Sequence, residues 1–435
     1  MTQDLFSSLE FREPVREGEF DIWEAVDESS ADPVEHAYSC IAVCRRNWIE
    51  GWPALGGTRC IESGSDAAKG KEEVRHQAIE LAMSMYIKNS ILRKAAHSVN
   101  GHASGLFDWQ GGKGVIWSPK GVNRPTDYRL QCHARLIDHL QGIYIGSKDA
   151  GVGTPQLEVI DAVTKHTIGL KCLKDTGEAT ATGVFSGIRR AVAELPEGFG
   201  SGPEPLRDLS VLVIGAGKVG LPLIGLLHHA GAVVHVFDDH LDPEALEEWF
   251  KDQVGRGAAI TEDHLQVLRE LRTAGRIFRH DQEEAALSQP EIRIVSPNGG
   301  PTEWLSRGIN GSGRTRAEIL AENRRKNGNL RLILGAGNDQ VSTTETGRSQ
   351  REKTLAVLAE AGLIFVPDPL VSPGGVIAVS HERAPEWDAE RVNDDAERIV
   401  HRSVEQAFKE ARRRGGVDPV TMYKAFETMI DEDWD

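Results

Sequence analysis

The chain has 435 residues, 40% hydrophobic and 27% charged, too many for one ordinary core and about right for two globular domains. Lys and Arg total 50 against 66 Asp and Glu, and the net charge of -16 repels phosphate backbones, which argues against nucleic acid as a partner. No apolar run reaches membrane-span length, because the best stretch, near Leu221–Leu227, is cut by His228 and His229. The N-terminal MTQDLFSSLEF lacks a basic region followed by an apolar block, so no secretory signal is expected. Five cysteines, with no CxxC or metal-type pairing, fit reduced thiols in a cytoplasm. These features lead to the expectation of a cytoplasmic protein with no membrane partner.

From about Pro33 to Arg59 apolar and polar residues alternate (YSCIAVCRR) as far as GWPALGGTR, which predicts a strand and then a glycine-rich turn. Residues 65–95 change to helical spacing, with Val74, Ala78, Leu81, Ala82 and Met85 on one face. The segment GHASGLFDWQGGKGVIWSPKG reads as a Gly- and Trp-rich loop running into a short strand, GVIW. A helix over Thr126–Leu140 leads to the strand GIYIG and the turn KDAGVGT. The second half starts over with a helix from Thr180 to Ala193, the breaker LPEGFGSGPEP and the strand of SVLVIGAGKVG. A helix over Leu221–His229, the strand AVVHVFDD and charged surface helices across Asp242–Glu284 follow. The strands IRIVSP, LRLILGAG and IFVPDP come next, and a C-terminal helix carries the stripe Val400, Val404, Ala407, Phe408 and Ala411. Strands alternating with helices predict an α/β fold.

Gly215, Gly217 and Gly220 form GxGxxG between an apolar strand and a helix opening at Val219, the context a dinucleotide site requires. The first glycine permits a tight turn, the second lets backbone approach a pyrophosphate, and the third lets the helix pack on the strand. Lys218 and Val219 open that helix, whose N-terminus faces the phosphates. Asp238 ends the next strand, 18 residues after Gly220, where a carboxylate accepts the ribose hydroxyls and repels a 2′-phosphate. Asp239 shares that candidacy, and the plain alternative for either is a turn cap. NAD is therefore expected in preference to NADP.

Several motifs resemble one superfamily, the glutamate/leucine/phenylalanine/valine amino-acid dehydrogenases, and are closest in pattern to its leucine and phenylalanine members. ALGGTR (54–59) resembles the glycine turn beside the substrate, and MSMYIKN (83–89) the helix ending in a substrate-binding lysine, here Lys88. GGKGVI (111–116) resembles the glycine-rich loop carrying the catalytic lysine, here Lys113, and KDAGVGT (148–154) the motif of the catalytic aspartate, here Asp149. EATATGV (178–184) is similar to the start of the hinge helix, and VPDPLVSPGGVI (366–377) to the segment closing the substrate pocket. The resemblance assigns Leu55, Gly56, Gly57, Lys88, Leu370 and Val371 to the substrate, and Thr180, Asn298, Asn338 and Asp339 to the cofactor side.

It also implies a mixed-sheet substrate and oligomerisation domain over 1–178 and a Rossmann NAD-binding domain over 179–375. A C-terminal helical segment, 376–435, would return to the first domain of a homo-oligomeric enzyme. Substrate would lie in the cleft between the domains. The chain departs from the pattern at Gln110, Asp339 and Ser372–Pro373. A further departure is the insert RKAAHSVNGHASG, expected to lie in the active-site loop between Lys88 and Lys113.

These residue types suit amino-acid chemistry. Lys88 holds a carboxylate as a point charge. Lys113, beside another cation, has its pKa lowered and acts as a general base on water, while Asp149 relays protons to and from the substrate nitrogen. Hydride goes to the nicotinamide. The expected reaction is the reversible NAD-dependent oxidative deamination of an L-amino acid to its 2-oxo acid and ammonia. Leu55, Leu370 and Val371 favour an apolar or aromatic side chain, with Arg93 and Lys94 as cations that a folded insert would bring in, and Trp109 as a candidate wall. The alternatives are a non-catalytic dinucleotide- or metabolite-binding sensor on the same fold, and a glutamate dehydrogenase-like enzyme. Neither His97 with His102 nor His133 with His139 has ligand spacing on one helix face, so no metal site is predicted.

Overall fold

The computed structural model describes residues 6–32, 35–63, 67–100, 105–122, 124–171, 176–195, 199, 204–255, 260–309, 312–343, 347–432 and 434. The chain divides into two compact units, the first holding residues 1–93, 104–173 and 382–387, the second 94–103, 174–381 and 388–435.

The first unit contains strands β1 (Glu10–Phe11), β2 (Val15–Glu17), β3 (Phe20–Asp27), β4 (Ala37–Cys44), β5 (Ala54–Ser63), β6 (Gln110–Pro119) and β7 (Tyr144–Lys148). Helices α1 (Ala67–Asn100), α2 (Asp127–His139) and α3 (Thr154–Asp161) accompany them. The sheet runs β1-β3-β4-β6-β5-β7, with β2 paired to β3. It is mixed, since β3, β4 and β6 pair antiparallel while β5 runs parallel to both β6 and β7.

Side chains alternate across a strand, and β4 shows the consequence. Cys40 and Ala42 join Val74, Ala78 and Ala82 of α1 in one buried cluster. Ile41 and Val43 join Leu130, Ala134 and Ile137 of α2 in the other. With a helix on each face, all eight residues of β4 are buried.

Strand β3, which precedes the first strand read from the sequence, pairs with β4 over its whole length. Two expectations for this unit are corrected. Neither ALGGTR nor GGKGVI is a turn or loop, because both lie inside ten-residue strands, β5 and β6. The glycines serve close packing there. A Cβ on Gly111 would sit 2.4 Å from the Tyr86 Cα of α1, and one on Gly56 would sit 1.7 Å from the Gly112 carbonyl oxygen. The insert after Lys88 is helical, as α1 runs on to Asn100; its end, 101–104, lies outside the described residues. Arg93 stacks over the Trp52 ring, 5.1 Å from its centroid.

The second unit opens with α4 (Gly177–Glu194), β8 (Ser210–Ile214), α5 (Gly220–His229), β9 (Val233–Phe237), α6 (Leu246–Gly255) and α7 (Glu262–Thr273). It continues through β10 (Ile277–Phe278), α8 (Glu283–Leu287), β11 (Ile294–Pro297), α9 (Arg316–Asn327), β12 (Leu332–Ile333) and α10 (Arg348–Glu360). It ends with β13 (Ile364–Phe365), α11 (Gly374–Ser380), α12 (Ala389–Arg413) and α13 (Pro419–Asp431). All pairs are parallel in the order β10-β9-β8-β11-β12-β13. Counted within the unit, this is the 3-2-1-4-5-6 order of a doubly wound sheet. The central strand, β8, is buried throughout. The edge strand β10 interrupts the stretch expected to be only surface helix.

Residues 388–435 group with the second unit, and 382–387 with the first. The apolar stripe of α12 is the cause: a Cβ on Gly183 or Gly187 of α4 would meet Val400 at 3.0 or 3.4 Å, so the two helices lie in close contact. Lys94, at the end of α1 that belongs to this unit, donates to the carbonyls of Ile430 (2.9 Å) and Glu432 (2.6 Å) at the close of α13. It neutralises that helix terminus. Among the described residues, no helix is long and apolar enough to cross a membrane.

Candidate active site

In the first unit, Lys113 and Asp149 meet. Lys113, near the middle of β6 and paired opposite Ala42 of β4, is 4% exposed. Its Nζ donates to Asp149 Oδ2. Asp149 follows β7 and bridges Val152, so the KDAGVGT turn presents its carboxylate. Arg59 Nε donates to the same oxygen at 2.9 Å. The sequence reading missed Arg59, although it closes the ALGGTR motif. Gly57, two residues earlier, makes this approach possible, because a Cβ there would fall 2.8 Å from Asp149 Cβ.

The electrostatics follow from burial and crowding. Burial raises the Asp149 carboxyl, but the Lys113 and Arg59 cations outweigh it and hold the group well below the usual carboxylate range. Burial lowers the Lys113 ammonium, and repulsion from Arg59 and from Lys88 adds to that, against the pull of Asp149. Lys88, half-buried on α1, is thus electrostatically coupled to the pair. Next to it, Asn89 donates to the Gln110 carbonyl at 2.8 Å, tying α1 to the start of β6.

A second layer braces these strands. Tyr144 donates to the Gly56 carbonyl at 2.7 Å, and Thr58 Oγ1 lies 3.2 Å from His133 Nε2. His133 is completely buried, and burial pushes its pKa down to about 3, so it is neutral. Leu55 is buried at 1% exposure. Trp109 is buried as well, with the Arg383 guanidinium 4.5 Å from its ring centroid.

In the second unit the glycine turn joins β8 to α5. Gly215 has φ +87°, the left-handed region open to glycine. A Cβ on Gly220 would lie 1.8 Å from the Gly215 carbonyl oxygen, whereas one on Gly217 meets nothing within 4 Å. The outer glycines are therefore required by the fold, and the middle one leaves open space of the kind a pyrophosphate needs. The residues present thus fit a dinucleotide. Val219 caps the helix, and Lys218 is exposed beside it.

Asp238 and Asp239 separate clearly. Asp238 Oδ2 accepts the Ala216 amide at 2.8 Å, while Asp239 is exposed. Thr180 donates to the Thr176 carbonyl at 3.0 Å within α4. Asn298 braces the loops after β11 and β12, donating to the Ser296 carbonyl (2.8 Å) and accepting the Ala336 amide (3.0 Å). Asn338 is exposed, and Asp339 sits at φ +50° with its amide directed to Asp368 at 3.3 Å. Leu370 and Val371 are fully buried, and a Cβ on Gly187 would meet Val371 Cγ1 at 2.8 Å. Val371 thus packs against α4 within this unit.

A doubly wound parallel sheet with this glycine turn defines a dinucleotide-binding fold. Among curated proteins, the chain is 28% identical over 335 residues to a valine dehydrogenase of Streptomyces coelicolor, covering 76% of this chain and 72% of that one. It is 26% identical over 386 residues to a leucine dehydrogenase of Geobacillus stearothermophilus (87% and 83% covered). With an L-tryptophan dehydrogenase of Nostoc punctiforme it shares 29% identity over 333 residues (76% and 73%). The crystal structure of L-tryptophan dehydrogenase from Nostoc punctiforme superposes with a TM-score of 0.60 at 22% identity, covering 94% and 95% of the two chains. A hetero-hexameric glutamate dehydrogenase from Thermus thermophilus gives 0.56 at 19% (91% and 84%). No family model matches the chain. Over most of its length the chain is thus similar in sequence to amino-acid dehydrogenases, and its fold matches that of two of them.

Proposed function

We propose that this protein is an NAD-dependent L-amino-acid dehydrogenase that oxidatively deaminates an apolar or aromatic amino acid and runs the reverse reductive amination. The observation that carries this is the contact of the buried Lys113 with Asp149, with Lys88 close enough to depress the Lys113 ammonium. When bound, the dinucleotide supplies the hydride acceptor.

The chain's own residues do the rest. Lys88 pairs with the substrate α-carboxylate. Lys113, with its ammonium destabilised by burial, takes a proton from the attacking water. Asp149 exchanges protons with the substrate nitrogen and the departing ammonia.

Relatives named for valine, leucine, tryptophan and phenylalanine support an apolar or aromatic side chain. Arg59 and Lys113 are already committed to Asp149, and Lys88 to the α-carboxylate. A glutamate substrate would bring a second carboxylate without a dedicated cation in this set, at a cost of several kcal/mol, roughly, if buried. NAD in preference to NADP rests on Asp238 at the glycine turn. Assembly into a homo-oligomer, which sedimentation measures, belongs to the same proposal.

The experiment is product identification. The protein is incubated with L-leucine and NAD, and 2-oxo acid and ammonia are assayed against reduced cofactor. Equimolar formation of all three supports the proposal. No 2-oxo acid from L-leucine, L-valine, L-phenylalanine or L-tryptophan overturns it.

A further inference from the structure

Lys113 and Arg59 both address a single oxygen of Asp149, Oδ2. They arrive from different strands, β6 and β5, and Arg59 is 90 residues from Asp149 in sequence. A carboxylate held at one oxygen by two cations has its orientation fixed, which leaves Oδ1 as the atom offered to a substrate nitrogen. Sharing the oxygen also means that Lys113 does not have the carboxylate to itself. We propose that Arg59 is a positioning residue of the reaction, holding Asp149 Oδ2 so that Oδ1 faces the substrate and so that the Lys113–Asp149 ion pair stays weak enough for Lys113 to give up its proton. This rests on the amino-acid dehydrogenase function proposed above.

The charged groups acting on Lys113 come from three places in the fold, Asp149 after β7, Arg59 on β5 and Lys88 on α1, while β4 places the uncharged Ala42 opposite it. Of these, Asp149 favours the ammonium, while Arg59 and Lys88 oppose it. Arg59 therefore acts twice on the same group. It competes for the counter-ion, and it places a fixed positive charge nearby that no accessible pH removes. Its side chain is 24% exposed and that of Asp149 25%, so both are partly open to solvent. A solvated surface ion pair would not share an acceptor atom with a buried lysine.

The test compares Arg59→Gln with Arg59→Lys across pH. Loss of the cation stabilises the Lys113 ammonium, so the limb of kcat/KM that rises with pH moves alkaline by roughly one to two pH units in Arg59→Gln. Turnover lost near neutrality returns at high pH, and Arg59→Lys largely restores the original profile. A uniform loss at every pH with no displaced limb overturns the proposal, because a purely structural arginine behaves that way. Lys113 is also titrated without turnover, by NMR of reductively ¹³C-methylated protein, with Lys113→Arg assigning the signal. If the wild type oxidises no amino acid but the Lys113 signal still moves up in Arg59→Gln, the electrostatic role stands and the dehydrogenase function falls. If the protein is active and the signal does not move, the role of Arg59 falls.

Discussion

The Asp238 carboxylate accepts the Ala216 amide at 2.8 Å, tying the end of β9 to the middle of the glycine turn. Its other oxygen takes the His240 amide at 2.8 Å, so the anion is fixed at the position where an adenosine ribose would lie. NAD is expected to give a higher kcat/KM than NADP. Asp238→Ser should narrow that ratio by about tenfold, the equivalent of 1.4 kcal/mol. A native preference for NADP, or an unchanged ratio in the variant, would remove Asp238 from this role.

The glycine turn separates folding from binding. Gly217→Ala adds a methyl into open space, so its unfolding free energy should stay within about 0.5 kcal/mol of wild type. Its NAD affinity should drop tenfold or more, by rough estimate, because the methyl occupies the pyrophosphate's approach. Gly220→Ala drives a Cβ against the Gly215 carbonyl and should cost about 2 kcal/mol or more of stability. Urea melts and NAD titration by fluorescence give both quantities. Equal NAD binding by Gly217→Ala and wild type would place the cofactor elsewhere.

Lys113→Ala and Asp149→Asn should each lower kcat by about 10²–10⁴, the range for loss of a proton-transfer group. NAD affinity should hardly change, because the glycine turn belongs to the other unit. Steady-state kinetics and cofactor titration on the same preparations separate the two effects. Near-normal turnover in either variant would falsify the acid–base pair.

His133 predicts a stability slope. Its pKa is depressed from 6.5 to about 3 by complete burial, so the unfolded chain takes up a proton first as pH falls. The contribution is therefore fully present above pH 6.5 and is lost progressively down to about pH 3. Between pH 6 and 4 the stability loss from this group should approach about 1 kcal/mol per pH unit. His133→Gln should flatten the dependence by that amount, whatever it costs in packing. Parallel slopes in wild type and variant, from urea unfolding, would show that His133 does not titrate as described.

The doubly wound half was legible because its signals are local: an apolar strand, a glycine triplet and an acidic residue at the next strand end. Mixed pairing in the first half and the motif order were legible too. What the sequence concealed depends on long-range partners. A double glycine reads as a turn, yet Gly56 and Gly111 sit within strands because Gly112 and the Tyr86 backbone press against them. The stripe on α12 says that one face is buried and leaves open against what; the answer lies in Gly183 and Gly187 of α4. Leu370 and Val371 read as apolar in sequence, but the packing of Val371 against α4 depends on residues far along the chain. Arg59 closes the ALGGTR motif, but its pairing was hidden because its partner is 90 residues away. Strand β10, two residues long, is too short to leave a periodicity.

The most direct measurement is kcat/KM for a panel of L-amino acids with NAD, followed by absorbance of the reduced cofactor. Leucine, valine, phenylalanine or tryptophan should be oxidised far better than glutamate or aspartate. Burial of each added methylene should gain roughly 1 kcal/mol, grading the apolar substrates by size until the pocket is filled. An acidic amino acid as the best substrate, or no turnover with any of the panel, would contradict the account.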